Sequence, residues 1–349
     1  MTDNPDPENR RPDGERQPAT PYDQAGSYLP PMPPEQGYWQ PAMSRPGVIP
    51  LRPLGVGDIL TGAISTMRRY PALMLGVTAV VFVVTELIIL AASFPLLDEI
   101  NRTVVTIDQD TTAGDAFSLF GKSMAVAAIG ILLVLVARVF LAGFLTLVVG
   151  NAVLGRAQGF GDVWARVRPR LSPLLGLTLV YPAVMIVAGL VVFGLALVVP
   201  PLAVLVGIGL VVIGIWLVVL FSLATPALML EDVGVWTAFG RSMQLVRGSW
   251  WRILGITLLG ALIAGVVSVI ITLPFELAAG GYSMTATEPA MPPASYLVVS
   301  TIGAVIASTV TEPFVAAITV LLYTDQRIRR ENLGPDLAAS AGPVPPAVN

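Results

Sequence analysis

The sequence contains no cysteine and no histidine, and Lys122 is its single lysine. The absence of cysteine excludes disulfides and thiolate nucleophiles, and the absence of histidine removes the commonest general base and a common zinc ligand. Catalysis would have to depend on carboxylates or hydroxyls. Because the sequence also lacks a phosphate-binding loop, a metal-ligand cluster and a catalytic triad, we predict a protein that is not an enzyme and has no metal or cofactor.

Charged residues are also scarce. They make up 12% of the 349 residues, about half of the roughly 25% found in average soluble chains. Hydrophobic residues make up 54%, and the mean hydropathy is +0.76. The formal net charge of −3 is small, so no nucleic-acid partner is expected. This composition is typical of an integral membrane protein.

Six apolar segments are long enough to cross a bilayer, which takes about 20 helical residues. They lie at about 71–97, 123–155, 172–199, 202–228, 251–278 and 294–323. The sequence therefore predicts an all-α integral membrane domain with six transmembrane helices over residues 51–332. An even number of spans places both ends of this domain on the same side of the membrane.

The segments outside this domain are predicted to be disordered tails. Residues 1–50 are rich in proline and poor in aliphatic side chains, so they cannot bury enough apolar surface to offset chain entropy. No apolar segment follows the N-terminus, so no signal peptide is expected. The PPMPP stretch near Tyr38 and Trp39 leaves two alternatives open: a solvated tail, or a polyproline ligand for a protein partner. Residues 333–349 form the second tail.

Arginines mark one side of the predicted domain, which we call the arginine side. They flank the spans as follows: Arg68, Arg69, Arg156, Arg166, Arg168, Arg170, Arg241, Arg247, Arg252, Arg327, Arg329 and Arg330. The opposite loops contain only Arg102 and Lys122, among several acidic residues. By the positive-inside rule, the arginine side and both termini are predicted to be cytoplasmic, in a bacterial inner membrane.

Three similar tetrapeptides indicate an internal repeat. LGVT, LGLT and LGIT begin at Leu75, Leu175 and Leu254, each at the start of an outward span. An amphipathic segment precedes each one, and Asp58 is predicted to cap the first of these helices. We expect these three helices to lie on the inner leaflet, with the apolar side toward the bilayer. The predicted fold is thus three hairpin repeats, each preceded by an interfacial amphipathic helix.

The return spans align without gaps. Arg138, Val219 and Glu312 occupy one register, and Asn151, Asp232 and Asp325 follow thirteen positions later. Ala261 and Gly265, four residues apart in the fifth span, are small enough to permit a close approach between helices.

Three ionisable residues near the middle of spans form a candidate polar centre: Glu86, Arg138 and Glu312. A charge at that depth costs about 2.5–3.5 kcal/mol on insertion scales, so such residues usually face partners or water. We predict that Arg138 pairs with Glu312 and that Glu86 lies near enough to share the guanidinium. Two interpretations stay open: an ion pair that only fixes helix packing, or a centre for a headgroup, an ion or a proton.

Arginines of the amphipathic segments are candidate contacts for anionic phospholipid headgroups. They are Arg68, Arg69, Arg166, Arg170, Arg241 and Arg247. Arginines that only fix the orientation of the spans in the membrane would occupy the same positions, so this alternative also stays open.

Three longer stretches carry a family resemblance: RPLGVGDILTGAISTMRRYPALMLGV, TAFGRSMQLVRGSWWRILGI and LLYTDQRIRREN. Over about residues 50–335 the chain resembles actinobacterial membrane proteins labelled as the glycerophosphoryl diester phosphodiesterase membrane domain. The catalytic part of such enzymes uses paired histidines and metal-binding carboxylates, which have no counterpart here. The resemblance therefore implies the membrane part alone.

The sequence favours a non-enzymatic membrane protein that binds lipids or partner proteins, or acts as a scaffold. The alternative is a small transporter or permease built around Arg138, Glu312 and Glu86. That alternative predicts a water-accessible cavity reaching the polar centre.

Overall fold

A computed structural model describes residues 47–50, 52–106, 113–156, 158–279 and 294–331. Helices account for nearly all of these residues, and no strand occurs among them. The PPMPP stretch and the C-terminal tail lie outside this part of the chain. The predicted boundary at residue 51 is slightly too late, because Ile49 is fully buried and the Val48 N–H donates to the carbonyl of Ala152 at 3.3 Å.

Ten α-helices follow one another in the described residues. They are α1 (Val56–Arg69), α2 (Val77–Thr106), α3 (Ala113–Val153), α4 (Phe160–Val167), α5 (Leu171–Val198), α6 (Pro200–Phe221), α7 (Ala224–Leu230), α8 (Val235–Val246), α9 (Trp250–Ala278) and α10 (Ala294–Glu331). A π-helical turn (Ala72–Gly76) precedes α2, and a 3₁₀ turn (Arg168–Arg170) precedes α5.

The six predicted spans are confirmed as long apolar helices. The segments long and apolar enough to cross a membrane are Ala72–Pro95, Phe120–Val153, Phe160–Val198, Pro200–Leu230, Trp250–Ala278 and Ser295–Glu331. The predicted ends differ because several helices continue past their apolar stretch. For example, α10 extends to Glu331 through charged residues.

The amphipathic helices α1 and α4 begin in the same way. Gly55 is the N-cap of α1, and Asp58 is the third helical residue, so the prediction that Asp58 is the cap is wrong. The Asp58 carboxylate instead accepts the backbone N–H of Gly55 at 3.0 Å. Asp162 accepts the N–H of Gly159 at 3.2 Å in the same arrangement. Each carboxylate satisfies a donor that the helix start leaves unpaired.

Part of each amphipathic stripe packs against the long helices, so the expectation that these stripes face only the bilayer needs correction. In α8, Phe239 is buried and its ring lies 4.7 Å from that of Phe221, whereas Trp236 is 80% exposed. In α1, Ile59 is fully buried and Ile64 is exposed. One side of each helix therefore anchors it to the bundle, and the other remains for lipid.

Helix α10 occupies the centre of the bundle. It packs along α9 and also contacts α1, α2, α3 and α8. A Cβ atom at Gly303 would lie 2.9 Å from the Cβ of Phe275, so glycine permits this crossing of α9 and α10. The small residues Ala261 and Gly265 do not support such an approach: no atom lies within 4 Å of a Cβ at Gly265, and both residues line a cavity.

Helices α5 and α6 pack against each other and contact the remaining helices mainly near the arginine side. Leu174 and Leu177 are buried there, whereas Val198 at the opposite end is 80% exposed. Most apolar side chains of these two helices are not covered by protein, which suits helices that face lipid on several sides.

Candidate functional site

A layer of ion pairs occupies the arginine side of the bundle, and its most buried member is Asp325. The Asp325 carboxylate accepts the backbone N–H of Leu54 at 2.7 Å and the Nε of Arg329 at 2.9 Å, and it pairs with Arg252. Both arginines also donate to the carbonyl of Leu54, at 2.8 and 2.9 Å. Three of these contacts tie Leu54, in the segment before α1, to α9 and α10, and the Arg252–Asp325 pair ties α9 to α10.

A second cluster surrounds Glu231 at the end of α7. Its carboxylate accepts two hydrogen bonds from Arg241, at 2.6 and 2.8 Å, and one from the hydroxyl of Tyr323. Partial burial disfavours the charged form, but the hydrogen bonds from Arg241 and Tyr323 outweigh it and lower the pKa of Glu231. The same pairing raises the pKa of Arg241. Glu331 pairs with Arg241 and Arg327 on the far side of the cluster.

Asp232 adopts a left-handed backbone conformation, with φ of 61°. Aspartate tolerates this conformation better than most residues. The turn directs both the carboxylate and the carbonyl of Asp232 toward Arg170, which pairs with the first and donates to the second at 3.3 Å. Arg170 is thereby fixed between the start of α5 and the α7–α8 connection.

The Glu231 cluster and the Arg170–Asp232 pair border a pocket of about 690 Å³ on the arginine side, which we call the arginine pocket. The ends of α3, α4, α7 and α10 form its walls. Its charged lining comprises Arg156, Arg166, Arg170, Arg327, Glu231 and Asp232. Four arginines face two carboxylates, so the lining has an excess of two positive charges.

The six predicted headgroup arginines are in different surroundings. Arg241 and Arg170 are engaged by carboxylates, as described above. Arg69 lies 5.9 Å from the ring of Tyr70. Arg68, Arg166 and Arg247 are exposed, and their side chains form no hydrogen bond or ion pair with any described residue. Of these six, Arg166 and Arg170 line the arginine pocket, and the lipid contacts themselves stay predictions.

The predicted pair at the polar centre is confirmed: the Nη2 of Arg138 lies 2.9 Å from the Oε1 of Glu312. Glu86 does not join it, and it forms no ion pair with a described residue. The reason is axial position. Ile89 of α2 lies opposite Gly130 of α3, so in this antiparallel pair Arg138 is about five residues, or roughly 7 Å, beyond the level of Glu86.

The Arg138–Glu312 pair borders a second cavity, of about 520 Å³, between α3, α9 and α10. We call it the central cavity. Small residues line much of it, including Ala142, Ala261, Gly265 and Ser268. The side chain of Arg138 is 61% exposed and that of Glu312 is 29% exposed. Protein therefore covers only part of this ion pair and leaves one side of it open.

Sequence reasoning missed the importance of Asp325, Glu231 and Tyr323. The sequence identifies Asp325 and Asp232 only as equivalent positions of the repeat, and in the structure each of them pairs with an arginine. The recurrence of an acidic residue at this repeat position is the sequence feature that could have indicated these ion pairs. Within the described ranges, no group of three or more acidic side chains is placed to hold a metal ion.

Six apolar helices joined by short amphipathic ones define a multi-pass α-helical membrane protein. The family model for a domain of unknown function, DUF7847, matches residues 54–326, so the chain belongs to this family. Its matched range begins at the Leu54 contact and ends just after Asp325. Neither the curated proteins nor the solved structures include a match to the chain.

Proposed function

We propose that this protein is a non-enzymatic membrane protein that binds the headgroups of anionic phospholipids on its arginine side. The observation that carries the proposal is the arginine pocket, in which side chains from several helices converge with an excess of positive charge. Its volume is within the range of ligand sites in proteins, about 300–1,000 Å³.

The ion pairs around the pocket support this function. Glu231 is satisfied by Arg241 and Tyr323, and Asp232 by Arg170. Neither carboxylate pairs with Arg166, whose guanidinium can therefore donate two parallel hydrogen bonds to a phosphate. The apolar surroundings of the pocket, including Leu147 and Leu230, suit the region of a lipid just below its headgroup.

We further propose that the helices form three hairpin repeats, each introduced by an amphipathic helix. The order α1–α2–α3, α4–α5–α6 and α8–α9–α10 supports this arrangement, as do the matched starts of α1 and α4. The positive-inside rule supports cytoplasmic termini in a bacterial inner membrane. The resemblance to the phosphodiesterase membrane domain, and a scaffolding role for the N-terminal tail, remain hypotheses.

The test is lipid binding by native mass spectrometry of the protein in a neutral detergent. Phosphatidylglycerol, phosphatidylcholine and inorganic phosphate would be added separately to the wild type, Arg166→Gln and Arg168→Gln. Arg168 is a matched control because it is exposed in the adjacent turn and does not line the pocket.

We expect Arg166→Gln to weaken phosphatidylglycerol binding about fivefold, since an interfacial arginine contributes about 1 kcal/mol. Arg168→Gln should have little effect. Equal effects of the two variants would overturn the pocket as the site. Displacement of the lipid by inorganic phosphate would indicate a soluble anion as the ligand instead.

A second candidate function, transport through the domain, is favoured by one observation. The central cavity reaches the Arg138–Glu312 pair, and the guanidinium is uncovered on that side. Such a pair at mid-span could bind an ion or exchange a proton. This candidate requires water in the cavity.

Cysteine labelling tests that requirement, because the natural chain has no cysteine. Ser268→Cys places a thiol in the cavity, and Val269→Cys places one on the exposed side of the same helix. A charged, membrane-impermeant thiol reagent should modify only Ser268→Cys if the cavity contains water. Failure to modify either thiol would exclude an aqueous path to the ion pair.

A further inference from the structure

A third depression, separate from the arginine pocket, lies between α1, the start of α2, α9 and α10. Its volume is about 530 Å³, and we call it the Arg68 groove. Its walls include Met67, Leu75, Ile263, Val267 and Phe314, and Arg68 is its only charged residue. It shares no lining residue with the arginine pocket.

The local backbone explains why the groove exists. Helix α1 ends at Arg69, and Pro71 and a π-helical turn follow before α2 begins. A π turn adds a residue to the helical ladder and changes the direction in which later side chains point. Pro71, just before the π turn, and Leu75, within it, both line the groove.

The charge in the groove lies at one end. Arg68 belongs to the last turn of α1 on the arginine side, whereas Val267 and Val310 lie near the middle of the spans of α9 and α10. The groove therefore runs from an interfacial cation to an apolar floor at mid-membrane depth. One leaflet of a phospholipid bilayer has the same order of groups, with phosphate at the surface and an acyl chain reaching the midplane.

The interior of the groove offers nothing to a polar ligand. Thr311 is the only other polar lining residue, and its hydroxyl donates to the carbonyl of Ala307 at 2.9 Å. Met67 adds a flexible, polarizable wall that adapts to irregular apolar shapes. Arg68 forms no hydrogen bond or ion pair with a described residue. A single anionic group at the mouth and an apolar chain inside would satisfy every part of the site.

We propose that the Arg68 groove binds one phospholipid, with its phosphate on Arg68 and one acyl chain along α9 and α10. This lipid is distinct from the headgroup bound by the arginine pocket, and neither site requires the other. A second copy of the protein is disfavoured as occupant because a packed helix would leave Arg68 unpaired at the edge of an apolar interface.

The experiment counts phospholipids retained by the full chain in native mass spectrometry, after extraction in a mild neutral detergent and addition of phosphatidylglycerol. Two matched pairs of variants are compared. Arg68→Gln is paired with Arg69→Gln, which removes the neighbouring charge outside the groove. Val267→Trp fills the groove, and Val269→Trp places the same bulk on the exposed side of α9.

We expect Arg68→Gln and Val267→Trp each to lose one retained lipid, while both controls keep the wild-type number. Arg166→Gln should lose a different lipid, and the double variant Arg68→Gln/Arg166→Gln should lose two. If Arg68→Gln and Arg69→Gln retain the same number of lipids, the proposal is overturned. This comparison does not depend on whether the tryptophan variants fold. Retention unchanged by Val267→Trp would also contradict it, as would a dimer that this substitution dissociates.

Discussion

Asp325 accepts a hydrogen bond from the backbone N–H of Leu54, which lies 271 positions earlier in the sequence. The two residues are fully buried, and Arg252 and Arg329 donate to both of them. The bond joins the segment that introduces α1 to the central helix. A buried carboxylate with these three donors is stable only while all of them remain in place.

We predict that Asp325→Ala destabilises the protein by about 3–5 kcal/mol, because it leaves two arginines and a backbone N–H without their acceptor. Thermal unfolding in detergent would measure this loss. Asp58→Ala is the control, since Asp58 is only partly buried and its capping bond is worth about 1 kcal/mol. Similar unfolding temperatures for the two variants would show that the Asp325 cluster is not a major source of stability.

The Arg138–Glu312 pair predicts the outcome of a charge exchange. Arg138→Glu and Glu312→Arg alone should each reduce expression and thermal stability, because each places two like charges near mid-membrane. The double variant restores opposite charges and should recover a large part of both. A double variant that is no better than the worse single one would contradict the importance of the pair.

The pH dependence of stability should include a contribution from Glu231. Its pKa in the folded protein is lower than the ordinary value of 4.5, so the unfolded chain takes up its proton first as the pH falls. The stabilisation is therefore complete above about pH 4.5 and is lost as the pH falls through the folded pKa.

Glu231→Gln removes this titration. Unfolding temperatures of the wild type and of Glu231→Gln, measured between pH 7 and pH 3, should converge at the acid end. A constant difference across this range would show that Glu231 does not titrate in the predicted way.

Two glycines of the bundle should respond in opposite ways to alanine. Gly303→Ala places a methyl group 2.9 Å from the Cβ of Phe275, and we expect a cost of about 1–3 kcal/mol because atoms next to a backbone cannot move aside. Gly265→Ala meets open space and should be neutral or stabilising by up to about 1 kcal/mol. Unfolding in detergent distinguishes them.

Cysteine substitutions would test the proposed orientation. Gly161→Cys lies at the start of α4 on the arginine side, and Phe117→Cys lies on an exposed position at the opposite end of α3. In intact cells an impermeant reagent should modify Phe117→Cys, and it should reach Gly161→Cys only after the membrane is opened. The reverse pattern would invert the topology, and modification of both in intact cells would reject this arrangement.

The apolar pattern was sufficient to predict the spans, since a bilayer requires long uncharged helices and few other folds do. The alignment of the return spans also predicted the Arg138–Glu312 pair, because equivalent positions lie at similar depth. The sequence did not show that Glu86 lies apart from this pair, because the level of Glu86 relative to Arg138 depends on how α2 and α3 are shifted along each other. The contacts of Asp325 could not be predicted either, since Leu54 and Arg252 reach it only through the packing of distant segments.

The surroundings of individual arginines and glycines could not be predicted for a related reason. Arg68 and Arg69 are adjacent in α1 and equal in charge, and the packing around the end of this helix determines that the first lies beside apolar walls and the second near the ring of Tyr70. In the same way, Gly265 and Gly303 are equally small, so the sequence suggests close helix packing at both. Whether another helix lies close depends on the fold: Phe275 lies against Gly303, and no atom lies within 4 Å of a Cβ at Gly265.

The central position of α10 has a consequence for biosynthesis. A ribosome makes this helix after all the other described ones, yet α1, α2, α3, α8 and α9 all pack against it. Until it is inserted, the side chain of Arg252 and the backbone N–H of Leu54 lack the carboxylate of Asp325 that accepts their hydrogen bonds. We therefore expect a chain truncated before α10 to lack these contacts and to be degraded by membrane proteases.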